Sequence, residues 1–360
     1  MRRSFISFLK REFPPPSFMA LQTAGVDVST SGVKAVRLVR KSHGLELANF
    51  GEVPLSLGAV TGGEITEHAT VVTAVSSLAK TLKIEHANIA LPESRGYLFE
   101  ASAEGKEAAA WRTSVEQHLE EYVPLPPAEV AFDVIPTGAG EGSTHLVGIG
   151  YARRVVEEFL SVFDEAQIEV RSVESENFSL PRALLRPDSD ETVLIIDIGK
   201  TTTKLLFVSH GVPHFATTLD VGGHNLTLAV QKQFGVSEEE AKHIKAERGI
   251  VSGTENAEYL EVMISTVSVI REEIFRRLEY WQSRAAENRH PPVTRAILVG
   301  GNASVRGLPE YLATAFKIPV DLGDVFTNLA SRDEWLPSIE YMESLGYGTA
   351  IGLALRDHAT

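Results

Sequence analysis

One short pattern occurs twice in this chain, and it limits the available folds more than any other feature. Residues 24–41 read AGVDVSTSGVKAVRLVRK, and residues 193–211 read VLIIDIGKTTTKLLFVSHG. Each is an apolar strand ending in Asp, a turn of small hydroxyl residues, a Lys, and a second apolar strand. The Asp precedes the Lys by seven residues in both, Asp27 to Lys34 and Asp197 to Lys204. Each second strand leads to a glycine turn (Gly44, Gly211) and another strand-like run, LELANFGEVPL and VPHFATTLDVGG. A hairpin unit repeated about 170 residues apart predicts two domains built on related plans.

With 360 residues, 43% hydrophobic and 23% charged, the chain has enough material for two cores. No apolar run approaches the roughly 20 residues that cross a bilayer. The net charge of -14 argues against nucleic acid as a partner, because phosphate backbones require a basic face. Cysteine is absent, which excludes disulfides and thiol chemistry and fits a reducing compartment. The first residues depart from the acidic background. Arg2, Arg3, Lys10 and Arg11 stand against Glu12, and Phe5, Phe8 and Leu9 share one helical face. Two readings stand: an interfacial helix on an anionic membrane, or an arm packed on protein and ended by Pro14, Pro15 and Pro16.

Between the hairpins, ITEHATVVTAVSSLAKTLKI has helical apolar spacing, and HANIALPES reads as a strand. An inserted unit follows, with a helix around EAAAWRTSVEQHLEEYV, strands at VAFDVI and HLVGIGYA, and the helix RRVVEEFLSVFDEAQ. The second half carries a long helix from about 256 to 284, striped by Leu260, Met263, Val267, Ile270, Ile274 and Leu278. PPVTRAILVGGNASVRGLPEYLATAF then reads as strand, glycine turn and helix. YMESLGYGTAIGLALR closes the chain as a helix of small residues suited to close packing.

The G-K-T at 199–201 imitates the end of a Walker loop. Such a loop needs a glycine five positions earlier, and position 194 is Leu. The stretch matches instead a hairpin phosphate clamp. Asp197 ends a buried strand, Gly199 and Lys200 open the turn, and Thr201, Thr202 and Thr203 supply donors. An ordinary hairpin with a Thr run and a turn Asp is the alternative. Asp27, Ser29, Thr30, Ser31 and Lys34 hold the matching positions in the first hairpin, with Ser29 where the second has Gly199. Gly300, Gly301 and Asn302 follow a strand and could leave bare backbone for a flat base. The 11 histidines show no metal-binding spacing in sequence, and no serine sits in a G-x-S-x-G elbow.

GVDVSTSGVKAVRL, DIGKTTTKLLF, LDVGGHNLT, EEAKHIK, LVGGNASVRGLPEYL and GYGTAIGLALR together resemble the actin-like ATPase superfamily. Within it the chain resembles the PilM family of type IV pilus assembly proteins, relatives of FtsA, from Gly25 to Arg356. The resemblance implies an α/β, actin-like (ribonuclease H-like) fold of two domains and four subdomains. Residues 1–23 would form an arm and 24–190 domain 1 (1A, with an FtsA-type 1C insert at about 91–165). Residues 191–335 would form domain 2 (2A, with 2B at about 236–289), and 336–360 would return to 1A. It implies ATP and Mg²⁺ as ligands, with Asp27 and Asp197 facing the metal through water and Ser29, Thr30, Ser31 and 199–203 on phosphate. Gly222 and Gly223 would border the nucleotide, Glu240 and Lys245 would reach the ribose or adenine edge, and Gly300, Gly301 and Asn302 would line the base pocket. Lys34 and Lys204 are read as strand residues that can point to solvent.

Superfamily ATPases orient the attacking water with a Glu or Gln placed before the second hairpin. RSVESENFSLPRALL occupies that region, so Glu174 and Glu176 are both candidates, and either can serve only as a helix N-terminal acid. The sequence is equally compatible with slow hydrolysis and with ATP as a structural ligand. The resemblance further implies a cytoplasmic scaffold on the inner membrane face. A groove on 1A and 1C would dock the cytoplasmic N-terminus of a PilN-like membrane protein, alongside other pilus inner-membrane components. Competing readings are an FtsA-like self-associating filament, tethered to the membrane through residues 1–13, and a small-metabolite kinase.

Overall fold

A computed structural model describes residues 22–105, 107–139, 143–251, 257–286 and 290–358. The basic arm of residues 1–13 lies outside them. In chain order, the first half has strands β1 (Thr23–Val28), β2 (Gly32–Lys41) and β3 (Gly44–Pro54). The two-residue strands β4 (Val60–Thr61) and β5 (Glu64–Ile65) and then β6 (His86–Leu91) follow. Next come β7 (Gly96–Glu104), β8 (Val130–Ala139), β9 (Ser143–Ala152) and β10 (Glu169–Ser175). The second half has β11 (Thr192–Ile198), β12 (Thr203–Ser209), β13 (Val212–Leu219), β14 (Arg295–Val299) and β15 (Val320–Leu322).

The repeated hairpin becomes a repeated sheet. The first sheet runs β3-β2-β1-β6-β10 and the second β13-β12-β11-β14-β15. In each, three antiparallel strands lead through the innermost hairpin strand to two parallel ones. The apolar run of β11 explains its central place. Val193, Leu194, Ile195 and Ile196 are all fully buried, as a strand covered on both faces requires.

The main helices are α1 (His68–Leu82), α2 (Ala108–Gln117), α3 (Arg153–Glu165), α4 (Glu176–Leu184) and α5 (Gly223–Phe234). They continue with α6 (Glu238–Arg248), α7 (Ala257–Ala286), α8 (Leu308–Phe316) and α9 (Gly348–Leu355). Helices α1 and α3 share a core with the first sheet, through residues such as Val75, Leu78, Phe159 and Phe163. In the second half, the α7 stripe buries Met263, Val267, Ile270, Ile274 and Leu278 beside Leu194, Leu205 and Phe207 of the second sheet. Helices α4 and α9 lie in a third core shared with both sheets, through Val36 from one and Ile195, Leu206 and Ile297 from the other. Their backbones nearly touch: a Cβ at Gly352 would lie 1.8 Å from the Ser179 carbonyl oxygen. The small residues of GTAIGLAL permit that approach.

Three local readings change. GYLFEASAE forms β7, an unexpected strand that pairs with β9 in the separate sheet β7-β9-β8. Its Glu and Ala content hides a strand whose partner lies far along the chain. The helix expected over 107–123 breaks at His118, whose φ of −122° and ψ of 18° leave the helical region. The closing segment is a helical turn at Tyr341–Ser344, a tighter turn at Leu345–Tyr347 and then α9, not one helix.

Candidate functional site

Hairpin register builds the floor of a cleft of about 340 Å³ between the two sheets. Asp27 pairs directly with Lys34, and Asp197 with Lys204. Residues opposite one another in antiparallel strands share a face, so each Asp brings its Lys into the same space. The solvent-facing orientation read for both lysines is therefore corrected. Lys34 is buried and donates to the Gly346 carbonyl at 2.9 Å, its ammonium over the Tyr347 ring. Lys204 pairs with Glu176 at 2.5 Å and lies 3.9 Å from Asp197.

The electrostatics follow from burial. Asp27 is pushed up to about 6 by desolvation, with the Lys204 charge opposing and the Glu176 charge adding to the rise. Asp197 moves in the same direction for the same reasons. Burial works against the charged form of Lys204, but Glu176, Asp197 and Asp27 outweigh it and hold the ammonium above the ordinary lysine range. Three carboxylates against two ammoniums leave the floor acidic once all are ionised. Desolvated carboxylates facing a cleft are the donor set a hard divalent cation takes. Asp27 and Asp197 thus fit Mg²⁺, and polyphosphate would enter as its complex.

The hairpin turns meet above this floor. The Thr201 hydroxyl donates to that of Thr30 at 3.1 Å, joining the two halves tip to tip. Ser29 Oγ lies 3.0 Å from Ser31 Oγ and donates to the Gly32 carbonyl, which makes the first turn self-contained. In the second turn the Gly199 amide donates to Thr202 O, while its carbonyl accepts from the Gly223 amide and from Asn302 Nδ2. Gly300 has φ of +91°, and a Cβ there would lie 2.3 Å from Asp197 Oδ1, so only glycine lets this turn close on the carboxylate.

The cleft is lined by Asp27, Ser29, Thr30, Ser31, Glu176, Asp197, Gly199, Lys200, Thr202, Gly300, Gly301 and Asn302. Other sequence candidates stand behind the lining. Thr203 is buried and donates to Val221 O, and Gly222 packs against the backbone of 200–202. Gly223 leaves room for the Asn302 side chain. Lys245 is buried and donates to Gly223 O, Thr227 Oγ1 and Asn302 Oδ1, and burial pulls it down to about 8. It ties α6 to both glycine turns. Glu240 is exposed and closes a capping box with Ser237 at the start of α6. Glu174 accepts from the two terminal nitrogens, Nη1 and Nη2, of Arg182 and from Arg356, away from the cleft. Of the two glutamates before the second hairpin, the fold brings Glu176 to the cleft.

Glu93 was missed by sequence reasoning. It is buried at the root of the β7-β9-β8 unit, where its amide donates to Glu176 Oε1 at 2.5 Å and its carboxylate accepts from Thr218. Burial pushes Glu93 up to about 7, the Thr218 hydrogen bond opposing and the Glu176 charge adding. Tyr151 of β9 donates to Ser175 Oγ beside it. No local motif marks Glu93, because its partners lie 83 and 125 residues away.

A model of the family described as type IV pilus assembly protein PilM matches residues 25–358. The chain belongs to the PilM family. Among solved structures, a chain of a PilM–PilN type IV pilus biogenesis complex is similar at TM-score 0.77 and 19% identity, over 94% of this chain and 99% of that one. The ethanolamine utilization protein EutJ from Carboxydothermus hydrogenoformans is similar at TM-score 0.54 and 17% identity, over 95% and 90%. MreB5 of Spiroplasma citri, bound to ADP, is similar at TM-score 0.54 and 13% identity, over 91% and 94%. The fold of this PilM-family chain is actin-like. No helix among the described residues is long and apolar enough to cross a membrane.

Proposed function

We propose that this chain is an ATP-binding, actin-like scaffold of the type IV pilus machinery, seated on the inner face of the cytoplasmic membrane. It docks the cytoplasmic N-terminal segment of a PilN-like membrane protein. The observation that carries this reading is the PilM family match over nearly the whole chain, residues 25–358. The resemblance to a chain of a PilM–PilN complex supports the partner. Capture of an extended peptide by a preformed groove is physically economical, because side-chain anchors bind at modest ordering cost.

For the ligand, the support is the cleft with its paired Asp27–Lys34 and Asp197–Lys204 floor. In this reading Asp27 and Asp197 hold Mg²⁺ through water, and Ser29–Ser31 with Gly199–Thr202 contact phosphate, while Thr203 braces the second turn from behind. Gly300, Gly301 and Asn302 border the base. Gly222, Gly223 and Lys245 support the turns that do so. Bound Mg²⁺ supplies the charge that offsets the phosphates. Glu176, ion-paired to Lys204, is the residue that would orient water, which suits slow turnover or none. The subdomain plan is 1A at about 24–90 and 166–190 with the C-terminal segment, 1C at about 91–165, 2A at about 191–235 and 290–335, and 2B between.

Titration calorimetry of the full chain tests both parts. ATP–Mg²⁺ is expected to bind the wild type and to lose at least about tenfold in affinity with Asp197→Ala, roughly the 1.4 kcal/mol of one lost interaction. Unchanged ATP affinity in that variant would sink the clamp. A synthetic peptide of the partner's N-terminal segment is expected to bind both forms, and failure to bind the wild type would sink the docking role.

A further inference from the structure

Away from the cleft, Glu100 of β7, His214 of β13 and His290 ahead of β14 converge where the β7-β9-β8 unit meets the second sheet. One ligand atom from each lies within 4.8 Å of the others. His214 Nδ1 is 2.6 Å from Glu100 Oε1, and His290 Nε2 is 3.7 Å from Glu100 Oε2. A tetrahedral ion with bonds of about 2.0–2.1 Å sets its ligand atoms roughly 3.3 Å apart, between those two separations. The imidazole rings are 5.4 Å apart and inclined by 60°.

The ring positions are held by packing. Trp281 stacks on His290 at 4.6 Å and on Phe207 at 5.0 Å, and its indole N–H donates to the Pro291 carbonyl. Side chains fixed in this way lose little freedom on taking up an ion. Two imidazoles and one carboxylate form a borderline donor set, suited to zinc rather than to the all-oxygen preference of magnesium or calcium. The open surface groove that holds these three residues is also lined by His145 and His210, which lie outside the triad. Arg284 is near enough for its charge to act on Glu100, and it opposes a dication.

We propose that Glu100, His214 and His290 form a zinc site that fastens the inserted three-stranded unit to the second half of the molecule. The three residues are 114 and 76 positions apart in sequence, so no spacing motif announces them. Three protein ligands leave a fourth position for water. The ion would span the seam between β7 and β13, and its contribution would be positional.

Calorimetry of the full chain with zinc chloride is expected to show one ion per chain and a raised melting temperature. Cobalt(II), an open-shell stand-in, is expected to quench the Trp281 share of indole emission. His214→Ala, His290→Ala and Glu100→Gln are each expected to weaken zinc binding at least about tenfold, the loss usual when a site's ligand sphere is disturbed. Glu100→Gln keeps an acceptor for His214, so its metal-free melting temperature should match the wild type and separate a lost ligand from a lost fold. His145→Ala and His210→Ala are expected to bind zinc as the wild type does. The site is overturned by the absence of binding at millimolar zinc or by unchanged affinity in His214→Ala. An equal loss in His145→Ala or His210→Ala would also overturn it, by showing zinc held by groove histidines at large.

Discussion

The two hairpins share a strand order and an Asp–Lys register, yet they use their lysines differently. Lys34 donates to a backbone carbonyl and lies over an aromatic ring. Lys204 is committed to Glu176 and sits beside Asp197. The first half therefore holds its cation by neutral dipoles and the second by ion pairs. A duplicated backbone does not impose duplicated electrostatics. What differs is the neighbour each half recruits: the turn before α9 on one side, the first residue of α4 on the other.

The largest test removes each cation in turn. Lys204→Met leaves Glu176 and Asp197 buried without compensation and is expected to cost about 3–5 kcal/mol in urea unfolding. Lys34→Met loses a charge-assisted hydrogen bond to a carbonyl and a more distant charge acting on Asp27, and is expected to cost less, about 1.5–3 kcal/mol. Equal costs would erase the asymmetry. Next come the glycines that face each pair. A Cβ at Gly300 meets Asp197 Oδ1 at 2.3 Å and demands a positive φ. Gly300→Ala should therefore cost about 1–3 kcal/mol by the same measurement. A Cβ at Gly346 crowds the Lys34 ammonium, at 2.9 Å, and meets the Gly301 backbone only at ordinary contact distance, so Gly346→Ala should cost clearly less.

The pH dependence sharpens the comparison on the carboxylate side. Asp27 titrates near 6 in the fold against an ordinary 3.8, so the folded chain retains this proton where the unfolded chain has lost it. Stability is thus expected to fall as pH rises through that window, and above it the ionised group carries a constant cost. Asp27→Asn should raise the nucleotide-free melting temperature at pH 7 by a few degrees, about 1–2 kcal/mol, and the gain should vanish below pH 4. A gain that persists in acid would remove burial of charge as its cause. The smallest effect concerns the turn itself. Ser29→Gly copies the second turn into the first and should cost about 0.4–1 kcal/mol through unfolded-chain entropy, read in the same urea assay.

Much of this was legible locally. The two hairpins, the α1 and α7 stripes and the Gly300–Gly301 turn announce themselves through periodicity and turn residues. The orientation of Lys34 and Lys204 was legible too: a residue seven positions after the Asp, across a tight turn, falls opposite it and on its face. The capping role of Glu240 was equally open, since Ser237 three residues earlier marks a helix start. Glu93, Tyr151 and the Glu100–His214–His290 group were not legible. Their partners lie some 24 to 190 positions away and meet only after the inserted sheet has docked. Glu174 and Glu176, two residues apart, could not be told apart by pattern. One lies within β10 beside Arg182, and the other begins α4 beside Lys204.

The contact of α4 with α9 carries a mechanical consequence. Where Gly352 lies on the Ser179 carbonyl, the helices meet by bare backbone, and Arg182 pins the join by donating to the Gly352 carbonyl. Backbones in contact leave no slack, so α4 and α9 act as one welded strut whose core is shared with both sheets.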